Sequence, residues 1–161
     1  MNFQVGDMVM HWSLGLGRIT GKELRNITGK REFYYVVRIQ NLDIWVPVDH
    51  LLEGRLRLPT AAPAFQGLFE ILSGPAQTLP SDRRERKSYL HTRMGDGNVE
   101  STCHVIRDLS TLEQTKALGL EDKQTLKRAR ERLLGEWEYA LNTSRAQAED
   151  HLHQLLKQPS L

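Results

Sequence analysis

Arginine and lysine gather in two short stretches of this 161-residue chain, and cations clustered in this way can neutralise the phosphates of a nucleic acid. The first stretch has four cations and one acid within five residues, and the second has four cations and no acid within eight residues. The first comprises Arg83, Arg84, Arg86 and Lys87, and the second comprises Lys123, Lys127, Arg128 and Arg130. We interpret both as candidate DNA-contacting faces, for which a solvated helix surface is the ordinary alternative.

The histidines, the cysteine and a glycine pair form no pattern that predicts catalysis. None of the six histidines lies four residues from another on one helix face, which argues against a zinc site. Cys103 falls on the apolar stripe of a predicted helix, where we expect it to fill the core. The segment Gly15-Leu16-Gly17 lacks the further residues of a nucleotide-binding loop, and we interpret it as a β-turn that needs positive φ angles. We expect neither an enzyme nor a metal or cofactor site.

The overall charge is close to balance, which limits the partners that charge alone could attract. Lysine plus arginine number 22 and aspartate plus glutamate number 20, for a formal net charge of +2. This balance argues against a polybasic protein that coats nucleic acid. A single cysteine fits a reducing compartment, no apolar run reaches the ~18 residues of a membrane span, and the first residues lack a signal-peptide pattern. We expect a cytoplasmic monomer with no membrane partner.

The elements that must position these residues change character near Pro59. Residues 1–58 contain all of the excess positive charge and have the pattern of several short strands. In the clearest strand, over residues 31–40, the side chains predicted to share one face are Phe33, Tyr35, Val37 and Ile39. So many short strands in so few residues predict a small SH3- or Tudor-like β-barrel.

The rest of the chain predicts helices. Two prolines within residues 59–64 suit a short linker, and residues 65–161 have a helical pattern throughout. The first basic stretch lies on a polar helix predicted over 82–94, and the second lies on a long helix predicted over 121–141. The fold class is therefore α+β with two domains, an N-terminal β-barrel followed by a C-terminal all-α helical bundle.

Local signals predict where two of these helices begin. Asn98 can cap a helix, because its side-chain oxygen can accept from free backbone N–H groups. Ser144 has Gln147 three residues later, which is the pattern of a capping box at the start of the last helix. The tryptophan of the long helix, Trp137, lies on its apolar stripe, and we expect it in the core.

Short motifs follow one another in a characteristic order and spacing along nearly the whole chain. They are Val5-Gly6-Asp7, Gly15-Leu16-Gly17-Arg18-Ile19, Phe33-Tyr34-Tyr35-Val36-Val37, Val46-Pro47-Val48, Phe69-Glu70-Ile71-Leu72, Gly97-Asn98, Val105-Ile106-Arg107-Asp108-Leu109 and Lys127-Arg128-Ala129-Arg130-Glu131-Arg132-Leu133. Together they resemble the CarD/CdnL family of bacterial transcription regulators. The resemblance implies a protein whose Tudor-like domain binds the RNA polymerase β subunit, partly by strand addition, and whose helical domain contacts promoter DNA and favours the open complex. It also implies association with the nucleoid through the polymerase.

The resemblance assigns a polymerase-binding strand to Arg25, Asn26, Ile27 and Thr28. In this assignment Arg25 is the charged anchor and Ile27 is an apolar contact. Trp45 stands where the family often has another basic contact, so the ion pair expected there is lost. Trp45 could instead anchor the interface, and packing in the core is an equal alternative.

The DNA side of the resemblance departs further from the family. Many members carry a tryptophan that wedges into the minor groove at the start of the arginine-rich helix, and Arg83 stands in that place here. An arginine can enter a minor groove but cannot wedge between bases as an indole does. We therefore expect weak, non-specific DNA binding. The alternatives are a protein-interaction module on polymerase without a DNA role and an RNA-binding barrel of the KOW type.

Overall fold

A computed structural model describes residues 2–157. Five strands are followed by five helices, with short 3₁₀ turns at Leu52–Gly54 and Ala62–Ala64. The strands are β1 (Met8–His11), β2 (Gly15–Asn26), β3 (Arg31–Ile39), β4 (Leu42–Pro47) and β5 (Leu56–Arg57). The helices are α1 (Phe65–Ser73), α2 (Arg83–Gly95), α3 (Val99–Thr115), α4 (Leu120–Leu141) and α5 (Arg145–Lys157). The predicted α+β organisation of strands followed by helices is confirmed.

The strands form one antiparallel sheet in the order β4-β3-β2-β1-β5. Within residues 2–157 no ladder joins β4 to β5, so the sheet does not close into a complete barrel. The strand β5 is only two residues long and pairs with β1 through Leu56 and Arg57. Such a short strand cannot supply the hydrogen bonds that would close the sheet.

The core of the sheet unit is built from side chains on one face of the central strands. Tyr35, Val37 and Ile39 of β3 are buried in it, as the period of two predicts. The prediction was wrong for Phe33, which is 50% exposed because β2 and β3 continue beyond the region that this core covers. Gly17 packs closely against β3, since a Cβ there would lie 2.6 Å from Cγ1 of Ile39. Its role is this close approach, and of the two glycines in its segment only Gly15 has a positive φ, of 93°.

The predicted helix starts are confirmed. Asn98 Oδ1 accepts a hydrogen bond from the Glu100 N–H at 2.8 Å. Ser144 Oγ accepts from the Gln147 N–H at 3.1 Å, and Gln147 Oε1 accepts from the Ser144 N–H at 3.4 Å, which completes the capping box. The sequence Lys157-Gln158-Pro159 predicts the end of the last helix, and its residues Gln158 and Pro159 lie outside the described residues.

The core of the helical unit is assembled from the apolar stripes of all five helices. Trp137 and Cys103 are both buried in it, which confirms the two expectations from their spacing. Burial raises the pKa of the Cys103 thiol far above its ordinary value, so the side chain stays neutral and unreactive.

The segment predicted as a linker is ordered by the helical unit. The chain divides into two compact units at the bond between Pro59 and Thr60. The Thr60 N–H donates to Glu136 Oε2 at 2.6 Å, and Ala62–Ala64 form a 3₁₀ turn that runs directly into α1. Because a buried carboxylate holds this backbone N–H, residues 60–64 form part of the second unit.

Candidate polymerase-binding and DNA-binding surfaces

A hairpin of β2 and β3 extends beyond the end of β1. The strand β1 pairs with β2 only from Gly15 to Arg18, whereas β3 pairs with β2 from Arg18 to Asn26. A register shift between Ile19 and Gly21 separates the two parts of β2. Within the part of the chain that the structure describes, no strand pairs with the outer side of residues 21–26. Their backbone donors and acceptors therefore form an unpaired edge, which another strand could join.

Three side chains are linked on one face of this hairpin. Glu23 Oε2 accepts from Arg25 Nη1 at 3.1 Å and from the Trp45 indole N–H at 3.0 Å. The Arg25 guanidinium carbon lies 5.4 Å from the Trp45 ring centroid, in cation–π geometry. The hydrogen bond from Trp45 and the contact with Arg25 lower the pKa of Glu23, because both favour the carboxylate. We call Glu23, Arg25 and Trp45 the charged triad.

Trp45 of the charged triad lies on the surface of the sheet unit. Trp45 is 37% exposed, so the core-packing alternative is wrong and the indole belongs to the surface. Its hydrogen bond to Glu23 crosses β3 on the face that carries Tyr34 and Val36, and both of these residues are buried. Sequence reasoning missed Glu23. The signal was available, because Glu23 lies two residues from Arg25 and therefore on the same face of the strand.

The residues predicted to bind polymerase lie together at the end of the hairpin. Arg25 and Asn26 end β2, and Ile27 and Thr28 begin the loop that follows. All four are exposed, and the Ile27 side chain is apolar and 53% exposed. The structure thus brings Trp45 beside Arg25, which lies on the strand that carries the unpaired edge.

The opposite face of the hairpin is apolar. Leu24 lies directly across from Phe33, and both are about half exposed. The ammonium of Lys22 lies 5.1 Å from the centroid of the Phe33 ring. We call Leu24 and Phe33 the apolar pair. Large apolar side chains on a projecting strand are typical of an interaction surface.

The hairpin also contains the excess positive charge of the chain. Residues 22–33 include four cations and two acids, an excess of two that equals the formal net charge of the whole chain. Elsewhere in the sheet unit, Arg38 pairs with Asp43 at 3.4 Å and Arg55 pairs with Asp49 at 2.8 Å. The positive potential of the sheet unit is therefore concentrated at the hairpin.

The two basic stretches of the helical unit lie on α2 and α4, which contact each other at their N-terminal turns. Arg83, Arg84 and Lys87 of α2 are exposed. Lys87 Nζ lies 3.3 Å from Glu121 Oε1, an ion pair that joins α2 to the first turn of α4. On α4, three of the predicted residues are exposed, namely Lys123, Lys127 and Arg128, and Arg130 is half-buried.

Arg86 is a correction to the predicted DNA-contacting face. Its side chain is buried, with Nε donating to Asp122 Oδ2 at 3.0 Å. Its Nη1 donates to the carbonyl oxygens of Pro80 at 3.1 Å and Ser81 at 3.3 Å. Buried charges are normally paired in this way, and a guanidinium so engaged is not available to a phosphate. Arg86 instead fastens the segment before α2 to the first turn of α4.

A polar contact also joins α2 to α3. Arg93 Nη2 contacts His104 Nδ1, and the Arg93 guanidinium also lies 5.9 Å from the centroid of the Tyr89 ring. Desolvation lowers the pKa of His104, and the neighbouring Arg107 and Arg93 lower it further. The imidazole therefore stays neutral, so that Nδ1 can accept from the arginine.

Comparison with protein families identifies both units. Residues 3–57 match the model of the CarD-like/TRCF RID domain, and residues 67–153 match that of the CarD C-terminal domain. The chain belongs to the CarD family. It is also 28% identical over 142 residues to the "Putative transcription factor YdeB" of Bacillus subtilis (strain 168), an alignment that covers 84% of this chain and 90% of that protein.

Membership of the CarD family confirms the resemblance seen in the sequence motifs. The family is one of transcription regulators, and its RID module is a Tudor-like RNA polymerase-interacting domain. Among residues 2–157, no helix is both long and apolar enough to cross a membrane. Within the same residues, no group of three or more histidine, cysteine, aspartate or glutamate side chains is arranged to hold a metal ion.

Proposed function

We propose that this CarD-family protein binds the β subunit of RNA polymerase through the hairpin and modulates the stability of the open promoter complex. The observation that carries the polymerase contact is the unpaired edge of β2 beside Arg25 and Trp45. Strand addition at such an edge supplies main-chain hydrogen bonds, and neighbouring side chains supply specificity. Arg25 and the exposed Ile27 are then the main side-chain contacts, because arginine and large apolar residues are effective interface anchors.

The DNA contact that we propose runs along the exposed cations of α2 and α4. These are Arg83, Arg84, Lys87, Lys123, Lys127 and Arg128, with the half-buried Arg130 at the margin. The ion pair between Lys87 and Glu121 shows that the two helices are close there, which supports a contact of both sets of cations with one stretch of backbone phosphates. Arg83 takes the place of the family's wedge tryptophan and contacts the minor groove electrostatically.

An open-complex lifetime assay with purified polymerase and promoter DNA tests this function. We expect the full-length protein to change the lifetime, and Arg83→Ala combined with Arg84→Ala to remove most of that change without weakening polymerase binding. A matched control is Lys116→Ala with Lys157→Ala, which removes two exposed cations that are not part of α2 or α4. An unchanged lifetime with the wild-type protein bound would contradict the proposal.

A second candidate function is a protein-interaction module that binds polymerase without touching DNA. The observation in its favour is that Arg83 replaces the expected tryptophan and that acids compensate the cations of the helical unit. A DNA footprint of the promoter complex with and without the protein separates the two functions. Extra protection upstream of the melted region supports the DNA contact, and an unchanged footprint supports the protein module.

A further inference from the structure

The segment that leads into α2 is held in place by side chains of other elements. Residues 74–82 connect α1 to α2 and form neither a helix nor a strand. The Gln77 N–H donates to Asp108 Oδ1 of α3 at 3.0 Å, and this buried carboxylate also accepts from Arg107 Nε at 2.9 Å. The path of this segment therefore depends on hydrogen bonds to buried side chains and not on a regular element of its own.

Arg86 holds the end of the same segment. Its Nη1 donates to the carbonyl oxygens of Pro80 and Ser81, and its Nε donates to Asp122 Oδ2 in the first turn of α4. Its backbone N–H donates to the carbonyl oxygen of Asp82 at 2.9 Å. One residue thus joins the segment before α2, the first turn of α2 and the first turn of α4.

The two arginines at the start of α2 directly follow this segment. Arg83 is the first residue of the helix, and the Arg84 N–H donates to Oδ1 of the capping residue Asp82 at 2.8 Å. The direction in which the chain enters the helix therefore sets the direction of both side chains. We infer that Arg86 is a positioning residue, which holds the start of α2 so that Arg83 and Arg84 reach the phosphates of promoter DNA. The inference rests on the proposed function.

The choice of an ion pair at this buried place supports a positioning role. Replacing a buried ion pair by apolar residues of similar size often leaves stability unchanged, because the cost of desolvation offsets the attraction between the charges. An apolar pair could not donate to the carbonyl oxygens of Pro80 and Ser81. The planar guanidinium of Arg86 presents Nε and Nη1 in fixed directions, which the single ammonium of a lysine cannot reproduce. Stability and orientation can therefore be separated by substitution.

The open-complex lifetime assay with full-length Arg86→Met/Asp122→Leu tests this separation. We expect a denaturant midpoint close to that of the wild type, because neither buried charge is left without its partner. We expect the variant to lose most of the change in lifetime that the wild type causes. The matched control, Arg145→Met/Glu138→Leu, replaces the 2.9 Å ion pair between α5 and α4 and should act as the wild type does. A full effect of Arg86→Met/Asp122→Leu on the lifetime would overturn the inference.

A second variant, Arg86→Lys, keeps a positive charge beside Asp122 and does not depend on how well an apolar pair packs. We expect it to lose part of the lifetime effect, and an undiminished effect would contradict the inference. Hydrogen exchange of the free protein measures the orientation directly. In both variants the amides of Arg84 and Arg86 should exchange faster, while the amide of Ala129 in α4 should not. Equal acceleration at Ala129 would mean that Arg86 has only a general structural role.

The outcomes separate this inference from the proposed function. If the wild-type protein leaves the lifetime unchanged, the proposed function and the inference both fail. If Arg83→Ala/Arg84→Ala removes the effect while the Arg86 variants keep it, the DNA contact stands and the positioning role is wrong. Binding to a purified lobe fragment of the β subunit should be the same for the wild type and the Arg86 variants. Weaker binding by those variants would assign their effect to the polymerase contact and overturn the inference.

Discussion

The hairpin of the sheet unit and the basic helices α2 and α4 both present arginine and lysine, but they differ in how the charge is compensated. The hairpin has two more cations than acids, which is the net charge of the entire chain. On the helices, acids lie close to several of the cations and compensate their charge, as in the ion pairs of Arg86 with Asp122 and of Lys87 with Glu121. Charge can therefore contribute to the affinity of the hairpin for an acidic partner much more than to that of the helical unit for DNA.

This difference suggests an order of binding. The hairpin, with its excess of cations and its exposed apolar pair, has the features of a primary docking surface. The helical unit is neutral overall and has only local clusters of cations, so it needs a high local concentration of DNA in order to bind it. Binding to a polymerase already at a promoter supplies that concentration by tethering. The near-neutral helical unit is therefore compatible with a DNA contact that forms only within the polymerase complex.

The largest expected effect comes from removing Arg86. It tests whether a buried cation of α2 contributes more to stability than an exposed one. We predict that Arg86→Met destabilises the helical unit by about 3 kcal/mol, because it leaves Asp122 as a buried charge without its partner. Denaturant unfolding followed by far-ultraviolet circular dichroism measures the change. Arg84→Met, at an exposed position of the same helix, is the control and should change stability by less than about 0.5 kcal/mol. Equal stability of both variants would contradict the buried ion pair and make Arg86 a candidate DNA contact again.

The second prediction tests the hairpin as the primary docking surface. We expect Arg25→Glu to weaken binding to the lobe fragment of the β subunit about thirtyfold, since it reverses the charge of the proposed anchor residue. Isothermal titration calorimetry measures the affinity. Arg38→Glu makes the same charge change on the same face of the sheet, opposite Asp43 and near the other end of β3, and should bind as the wild type does. Equal weakening by both variants would mean that only the overall charge matters.

A smaller effect is expected when Glu23 is removed while Arg25 and Trp45 remain. Glu23→Ala should shift the indole N–H resonance of Trp45 in the free protein and weaken lobe binding about threefold, because both contacts lose their shared acceptor. Glu53→Ala removes an exposed acid elsewhere in the sheet unit and should change neither. The lowered pKa of Glu23 means that the contacts are complete above its ordinary value of 4.5 and are lost as pH falls through the lowered value. An unshifted indole resonance in Glu23→Ala would contradict the charged triad.

The smallest effect concerns the contact between Arg93 of α2 and His104 of α3. Because the pKa of His104 is lowered from its ordinary 6.5, the folded protein binds fewer protons than the unfolded chain below that pH. This contribution to stability is complete above pH 6.5 and declines as pH falls from there through the lowered value. Arg107 reinforces the shift, while Asp108 and Glu100 oppose it.

We therefore predict that His104→Gln reduces the loss of Tm between pH 7 and pH 5 by about 2 °C or less, since Gln remains neutral and can still accept from Arg93. Thermal unfolding at several pH values measures this change. His153→Gln, an exposed position on α5, is the control and should leave the pH dependence as it is in the wild type. A pH dependence that is unaffected by His104→Gln would mean that His104 makes no contribution.

Interactions between residues close in the chain were predictable. The caps at Asn98 and at Ser144 with Gln147 join residues two or three positions apart, so the spacing alone determines their geometry. The burial of Trp137 and Cys103 followed from the period of their helices, because the apolar stripe of an amphipathic helix faces the core. The strand-then-helix order and the family motifs were readable for the same reason.

Tertiary structure decided the features that depend on residues far apart in the chain. Arg86 has the same residue type as its exposed neighbours, and its ion pair with Asp122, 36 positions away, makes its burial favourable. From the sequence, Trp45 was equally compatible with the core and with the surface. The fold brings it into contact with Glu23, 22 positions away in the chain, across β3. The unpaired edge of β2 likewise depends on where β1 stops pairing, which no local pattern specifies. The sequence thus determined the elements and most of their buried faces, while the packing of distant segments determined which cations are free to bind a partner.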